Sequence, residues 1–118
     1  MILVANVMIG LVALLHVCFL VLEMFLWGKP FGRKTFKLTP EFAKASKSLA
    51  ANQGLYNGFL AAGLVWGLWL GPAGRDVKLF FLCCVVAAGL YGAYSVSHKI
   101  LLVQALPAIV ALGLLLIA

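Results

Sequence analysis

Residues 2–27 read ILVANVMIGLVALLHVCFLVLEMFLW, and this stretch decides the fold. It holds one formally charged side chain, Glu23, and the next charge along the chain is Lys29. A helix of about 20 apolar residues crosses the roughly 30 Å hydrocarbon layer of a bilayer. The stretch therefore predicts a first membrane-spanning helix. Because it is long and has no basic segment before it, we expect a span that is retained, not a cleaved signal peptide.

Three further apolar segments follow, at residues 49–70, 77–97 and 101–118. Hydrophobic residues make up 65% of the chain and charged residues 10%, which is far from the composition of a soluble domain. The links between the last three segments are short, at residues 71–74 and 97–99, so consecutive segments should be antiparallel neighbours. The sequence thus predicts an all-α integral membrane protein. We expect a four-helix up-down bundle that forms one domain over residues 1–118, with its first span at 2–27.

The basic residues lie mainly between the first two segments. Residues 28–47 contain six Lys and Arg, and Lys99 belongs to the same face, whereas Arg75 and Lys78 fall on the other. The positive-inside rule then places this basic connection in the cytoplasm and both termini outside. The formal charge of +6 is accordingly a signal of topology. Membrane lipids are the expected partners, and nucleic acid is not expected.

Glu23 is the strongest functional clue. An ionisable side chain inside a span costs roughly 2 to 4 kcal/mol on insertion scales, so other groups in the bundle should compensate it. Several polar residues are predicted at a similar depth, in the cytoplasmic half: Asn52, Gln53, Tyr56, Asn57, Tyr94, Ser95, His98 and Gln104, with His16 nearer the midplane. We expect Glu23 to accept a hydrogen bond from Asn52, Gln53, Tyr56, Asn57 or Gln104. The opposite half should be apolar almost throughout.

One face of the second predicted span carries small residues. Gly54, Gly58 and Ala62, four residues apart, form a small-residue ridge that lets a neighbouring helix approach closely. Asn52, Gln53, Tyr56 and Asn57 occupy an arc of roughly 140° on the other side. We expect the ridge to pack and the polar arc to line a cavity. The three cysteines, Cys18, Cys83 and Cys84, are interpreted as apolar packing residues, with a redox role for the adjacent pair left open.

Four segments together resemble a known family. They are HVCFLVLEMFLW at 16–27, KPFG at 29–32, NQGLYNGFLAAG at 52–63 and KILLVQALP at 99–107. They resemble the small four-span bacterial membrane proteins catalogued as domain of unknown function 1304. The resemblance implies a location in a bacterial inner (plasma) membrane. The resemblance supports four spans and implies that eight residues are motif positions: His16, Glu23, Trp27, Asn52, Gln53, Tyr56, Asn57 and Gln104. It brings no activity, substrate or cofactor.

Three functions remain open. The favoured one is binding or transport of a small amphiphile or cation in a polar cavity around Glu23, with an oligomer completing the pathway. The second is a membrane enzyme for a lipid-soluble substrate, with Glu23 as general acid or base and His16 or Tyr56 as its partner. The third is a structural or accessory subunit. No metal site is predicted, because His16, Glu23 and His98 lack ligand spacing, and no cofactor motif is present.

Overall fold

In a computed structural model that describes residues 1–118, the chain is helical almost throughout and has no strand. The helices are α1 Ile2–Met24, α2 Pro30–Phe36, α3 Pro40–Trp69, α4 Arg75–Ser95 and α5 His98–Ile117. Gly71–Gly74 forms a 3₁₀ turn directly before α4. The predicted all-α class is confirmed. The predicted number of four helices is wrong, because the basic connection contains the additional short helix α2.

Local sequence explains how α2 and α3 begin and end. Each starts at a proline, where the missing N–H costs no helical hydrogen bond. Thr39 Oγ1 accepts from the backbone N–H of Phe42 at 3.1 Å, so Thr39 is the N-cap of α3. The residue after α2, Lys37, has a left-handed backbone with φ 54° and bonds back to the carbonyl of Arg33. This closes α2 two residues before the cap of α3.

Three helical segments are long and apolar enough to cross a membrane: Ile2–Met24, Gly71–Ser95 and His98–Ile117. They correspond to three of the four predicted spans. The remaining segment, 49–70, lies inside α3, which has 30 residues but is less apolar. Asn52, Gln53 and Asn57 reduce the mean hydropathy of this segment.

The helix α5 contains a short π-helical stretch, Leu101–Ala105. At its end the backbone N–H of Leu106 donates to the carbonyl of Leu101, five residues earlier. The sequence reason is Pro107, whose ring removes the N–H that would have bonded the carbonyl of Val103 and crowds the turn before it. Gln104 lies in this stretch and is half-buried. Widened turns of this type often accompany functional sites.

The chain forms two compact units, residues 1–14 with 60–118, and residues 15–59. The first unit contains an apolar core in which Ile9, Val12, Leu64, Leu82 and Leu115 are fully buried. Small residues bring its helices close together. A Cβ on Gly89 would lie 2.7 Å from the Cβ of Ala105 and 2.8 Å from its backbone nitrogen. The α4 and α5 backbones are therefore nearly in contact at this point.

The second unit also depends on small residues. A Cβ on Gly54 would meet Met24, Glu23 and the carbonyl of Leu20, and a Cβ on Gly58 would meet the Leu20 side chain. The first two members of the small-residue ridge therefore pack against α1, as expected. Ala62, the third member, is exposed.

Candidate functional site

Glu23 and Asn57 form the central polar contact of the second unit. The Asn57 side chain, from α3, donates through Nδ2 to Glu23 Oε1 in the last turn of α1, at 2.5 Å. Asn57 is 6% exposed and Glu23 is half-buried. The expectation that Glu23 accepts a hydrogen bond from one of the polar residues on a neighbouring helix is confirmed for Asn57. We refer to this contact as the Glu23–Asn57 pair.

The glycines of α3 make this pair possible. Gly54 lies one turn before Asn57 and would place a Cβ 3.1 Å from the Cβ of Glu23. A larger residue there would hold the two helices apart and move the amide beyond hydrogen-bond distance of the carboxylate. The packing face and the polar group therefore belong to the same side of α3, which sequence reasoning placed on opposite sides.

The carboxylate of Glu23 accepts a hydrogen bond from an amide, but it has no cationic partner. The only charge-stabilising interaction at its carboxylate is the hydrogen bond from Asn57, and no Lys or Arg acts on it. A carboxylate accepts up to about four hydrogen bonds. The pair therefore leaves acceptor capacity for a ligand that carries a positive charge or an N–H donor.

The other predicted site residues have varied surroundings. His16 is completely buried in the second unit, where its ring contacts Phe19 edge-on with centroids 5.3 Å apart. Tyr56 is 51% exposed and its ring lies 6.1 Å from that of Phe59. Asn52 and Gln53 are exposed, and Gln104 belongs to the first unit. Of the four polar residues on α3, only Asn57 is buried, whereas Asn52, Gln53 and Tyr56 are exposed.

Trp27 forms a second polar contact that sequence reasoning missed. Its indole Nε1 donates to Ser46 Oγ at 2.9 Å, and Ser46 in turn donates to the carbonyl of Phe42 at 2.7 Å. The ring of Trp27 also packs on Phe36, with centroids 5.0 Å apart. A pocket of about 180 Å³ adjoins this contact and includes Lys29 and Lys47 in its lining. Ser46 gave no signal in the sequence beyond its place on the first turns of α3.

The first unit holds a polar group that the sequence did not predict. Lys78 is 2% exposed, and its Nζ donates to Asn6 Oδ1 at 3.1 Å. Arg75 donates to the carbonyl of Leu115 at 2.9 Å. The two cations that the sequence assigned to the face opposite the basic connection, Arg75 and Lys78, therefore both form hydrogen bonds within this unit. The available signal was the position of Lys78, which lies one residue inside the predicted third span.

The helices and the buried polar contacts together define a class: an all-helical protein with apolar helices of bilayer length and a carboxylate within the first of them. Residues 10–116 match the family described as protein of unknown function (DUF1304), and the chain belongs to that family. It is similar to the uncharacterized protein YpaA of Lactococcus lactis subsp. lactis (strain IL1403). The two are 31% identical over 104 residues, which cover 86% of this chain and 87% of the relative. No solved structure matches the chain.

Proposed function

We propose that this protein is a four-span membrane protein that binds a small cation, or an amphiphile with a cationic head group, at the Glu23–Asn57 pair. The single observation that carries the proposal is the carboxylate of Glu23, which has one amide donor and no cationic partner within an apolar helix. Retaining an acidic side chain there is costly, and intramembrane acids are commonly found at ion or substrate sites.

In this proposal α3 is the additional span, besides the three segments that are apolar enough to cross a membrane. Its 30 residues are longer than the roughly 20 that a bilayer requires, so its first turns would project from the membrane on the cytoplasmic side. With α3 as a span, the chain forms one domain that crosses the membrane four times. The basic connection then lies in the cytoplasm and both termini lie outside. Asn57 would then lie in the cytoplasmic half of the membrane, where a ligand could enter from the inner leaflet.

Asn57 has a defined role in such a site. Its Nδ2 holds one carboxylate oxygen in place, which orients the other toward an incoming ammonium group. A charge-assisted contact of this type is about twice as strong as a neutral hydrogen bond. The amide also contributes affinity, since it fixes the carboxylate before the ligand arrives and lowers the ordering cost of binding.

The acid–base alternative lacks comparable support. Glu23 would need His16 or Tyr56 as its partner, but the hydrogen bond at its carboxylate comes from Asn57. His16 lies two turns earlier, about 10 Å along the helix. A binding site requires only the pair, so binding is the function that the geometry supports best.

Calorimetric titration with decyltrimethylammonium, a cationic amphiphile, tests the proposal on protein purified in a neutral maltoside detergent. We expect Glu23→Gln to weaken binding tenfold or more, since it keeps the shape of the side chain and removes the charge. The matched control is Glu41→Gln, because Glu41 is exposed in the first turn of α3. Glu41→Gln should bind as the wild type does.

Equal affinity of the wild type and Glu23→Gln would contradict the proposed site. Uptake of the same cation into proteoliposomes then separates transport from binding. If the protein is a transporter, the cation should enter the proteoliposomes and Glu23→Gln should abolish this uptake. If it only binds, the cation should bind in the titration but should not enter the proteoliposomes.

A further inference from the structure

The first unit contains a pocket of about 440 Å³. We name it the cationic pocket, and its lining includes Ile2, Asn6, Pro72, Arg75, Lys78 and Leu115. These residues come from the start of α1, the 3₁₀ turn, the first turn of α4 and the last turn of α5. The volume is within the usual range of small-molecule sites.

Lys78 is the unusual member of this pocket. Its side chain is 2% exposed, yet the group that accepts from its Nζ is the neutral amide of Asn6. An ammonium group has three donors, so one hydrogen bond leaves two of them. Buried lysines are normally paired with an anion, because burying an uncompensated charge is costly. Asp76, the nearest acid in sequence, is exposed, and two residues' separation places it on another side of the helix.

Arg75 adds a second positive charge to the same pocket. It precedes Lys78 by three residues, so the two side chains lie on one face of α4. Its Nη1 donates to the carbonyl of Leu115 at 2.9 Å, which orients the guanidinium and leaves other N–H groups available. Both cations donate to neutral oxygens, of Asn6 and Leu115, so their charges favour an anion in the pocket.

We propose that the cationic pocket binds a phosphate group, carried by a lipid head group or free in solution. A guanidinium presents paired N–H donors that match phosphate oxygens, and an ammonium group adds a compact charge beside it. Trp69, 81% exposed and three residues before Pro72, has the character of an interfacial anchor, and head-group phosphates lie at that depth. The site requires neither Glu23 nor Asn57.

Native mass spectrometry of the full chain in neutral detergent tests this site with three probes: phosphatidylglycerol, diacylglycerol with the same acyl chains, and inorganic phosphate. We expect phosphatidylglycerol to bind the wild type and diacylglycerol to bind at least tenfold more weakly. Displacement of phosphatidylglycerol by millimolar inorganic phosphate would show that free phosphate also occupies the site. Absence of displacement would identify the lipid as the source. Both results support phosphate recognition.

Two variants connect the binding to these residues. Lys78→Met and Arg75→Gln should each weaken phosphatidylglycerol binding tenfold or more, whereas Lys99→Met, which removes an exposed cation in α5, should not change it. Lys78 is buried, so Lys78→Met could fail to fold. Arg75 is only half-buried, so Arg75→Gln should fold and can be measured in that case. Unchanged affinity in Arg75→Gln, or equal binding of diacylglycerol and phosphatidylglycerol by the wild type, would overturn the proposal.

Discussion

Glu23 and Asn57 show how one hydrogen bond can shape a site within an apolar helix pair. The carboxylate and the amide are 34 residues apart in sequence and 2.5 Å apart between Oε1 and Nδ2. Each would be costly to bury alone, because hydrocarbon supplies no hydrogen-bond partner. Their contact should therefore be strongly coupled, so that loss of either partner changes the energetic role of the other.

A double-mutant cycle of Glu23→Leu and Asn57→Leu measures this coupling. We expect Asn57→Leu alone to destabilise the protein by about 1 to 3 kcal/mol, since it leaves the carboxylate without its donor. The double variant should be more stable than the sum of the single changes, by about 0.6 to 2 kcal/mol. Thermal unfolding in detergent supplies the values. Strict additivity would show that the hydrogen bond has no part in holding α1 and α3 together.

At the scale of the element, the buried residues of α3 form a row along one side of the helix. This row explains why one of the four polar side chains of α3 is buried. The row repeats at intervals of seven, four, three, four and three residues: Ala43, Ala50, Gly54, Asn57, Ala61 and Leu64. This is the 3-4 spacing of packed helices with a slight left-handed twist. Asn57 lies at the edge of the polar arc, about 60° from Gly54, so it joins the row. Ala62 falls outside it, which explains its exposure.

Glycine-to-alanine substitutions, each of which adds one methyl group, test the close contact of α4 and α5. Gly89→Ala should destabilise the fold, because the new Cβ would meet the backbone of Ala105, which cannot move aside. Gly58→Ala should cost less, since the atom in its way is the end of the flexible Leu20 side chain. Melting temperatures in detergent provide the ranking.

Gly10 and Gly113 provide the matched controls for these two changes. A Cβ at either position would have no neighbour within 4 Å. Their alanine variants should be neutral or stabilising by up to about 1 kcal/mol, from helix propensity alone. A Gly89→Ala protein as stable as Gly113→Ala would refute the close approach of α4 and α5. Leu60 is unsuitable as a control position, because it packs against the core of the first unit.

At the scale of the whole molecule, the distribution of charge decides the orientation that we propose. Four of the nine Lys and Arg lie in the connection between α1 and α3, and Lys44 and Lys47 follow in the first turns of α3. With Lys99 they make seven, whereas Arg75 and Lys78 lie near the 3₁₀ turn. The positive-inside rule depends on such asymmetry in short connections. Arg75 and Lys78 do not weaken it, because both are engaged within the first unit.

Cysteine labelling in whole cells tests the orientation. On a background without Cys18, Cys83 and Cys84, we expect Lys34→Cys to react with an impermeant maleimide only after the cells are opened. Ala73→Cys, at the other set of connections, should react in intact cells. Both positions are exposed, so access to reagent is limited only by the membrane. Labelling of Lys34→Cys from outside would reverse the proposed topology.

The sequence by itself determined the long elements of this protein. Apolar length predicted the four long helices but not the short helix α2, and the lone acid within the first apolar stretch identified Glu23 as the residue to explain. These properties are local, since each depends on side chains within a few turns of one another. Family membership followed from the same local motifs.

Only the tertiary structure decided which polar groups meet. It selected Asn57 over Asn52, Gln53 and Tyr56 as the donor to Glu23, and it joined Lys78 to Asn6 across 72 residues. The physical reason is that such contacts depend on the rotation of each helix about its own axis. Close packing of small residues on neighbouring helices sets that rotation, and a rotation of about 60° replaces one polar side chain with another.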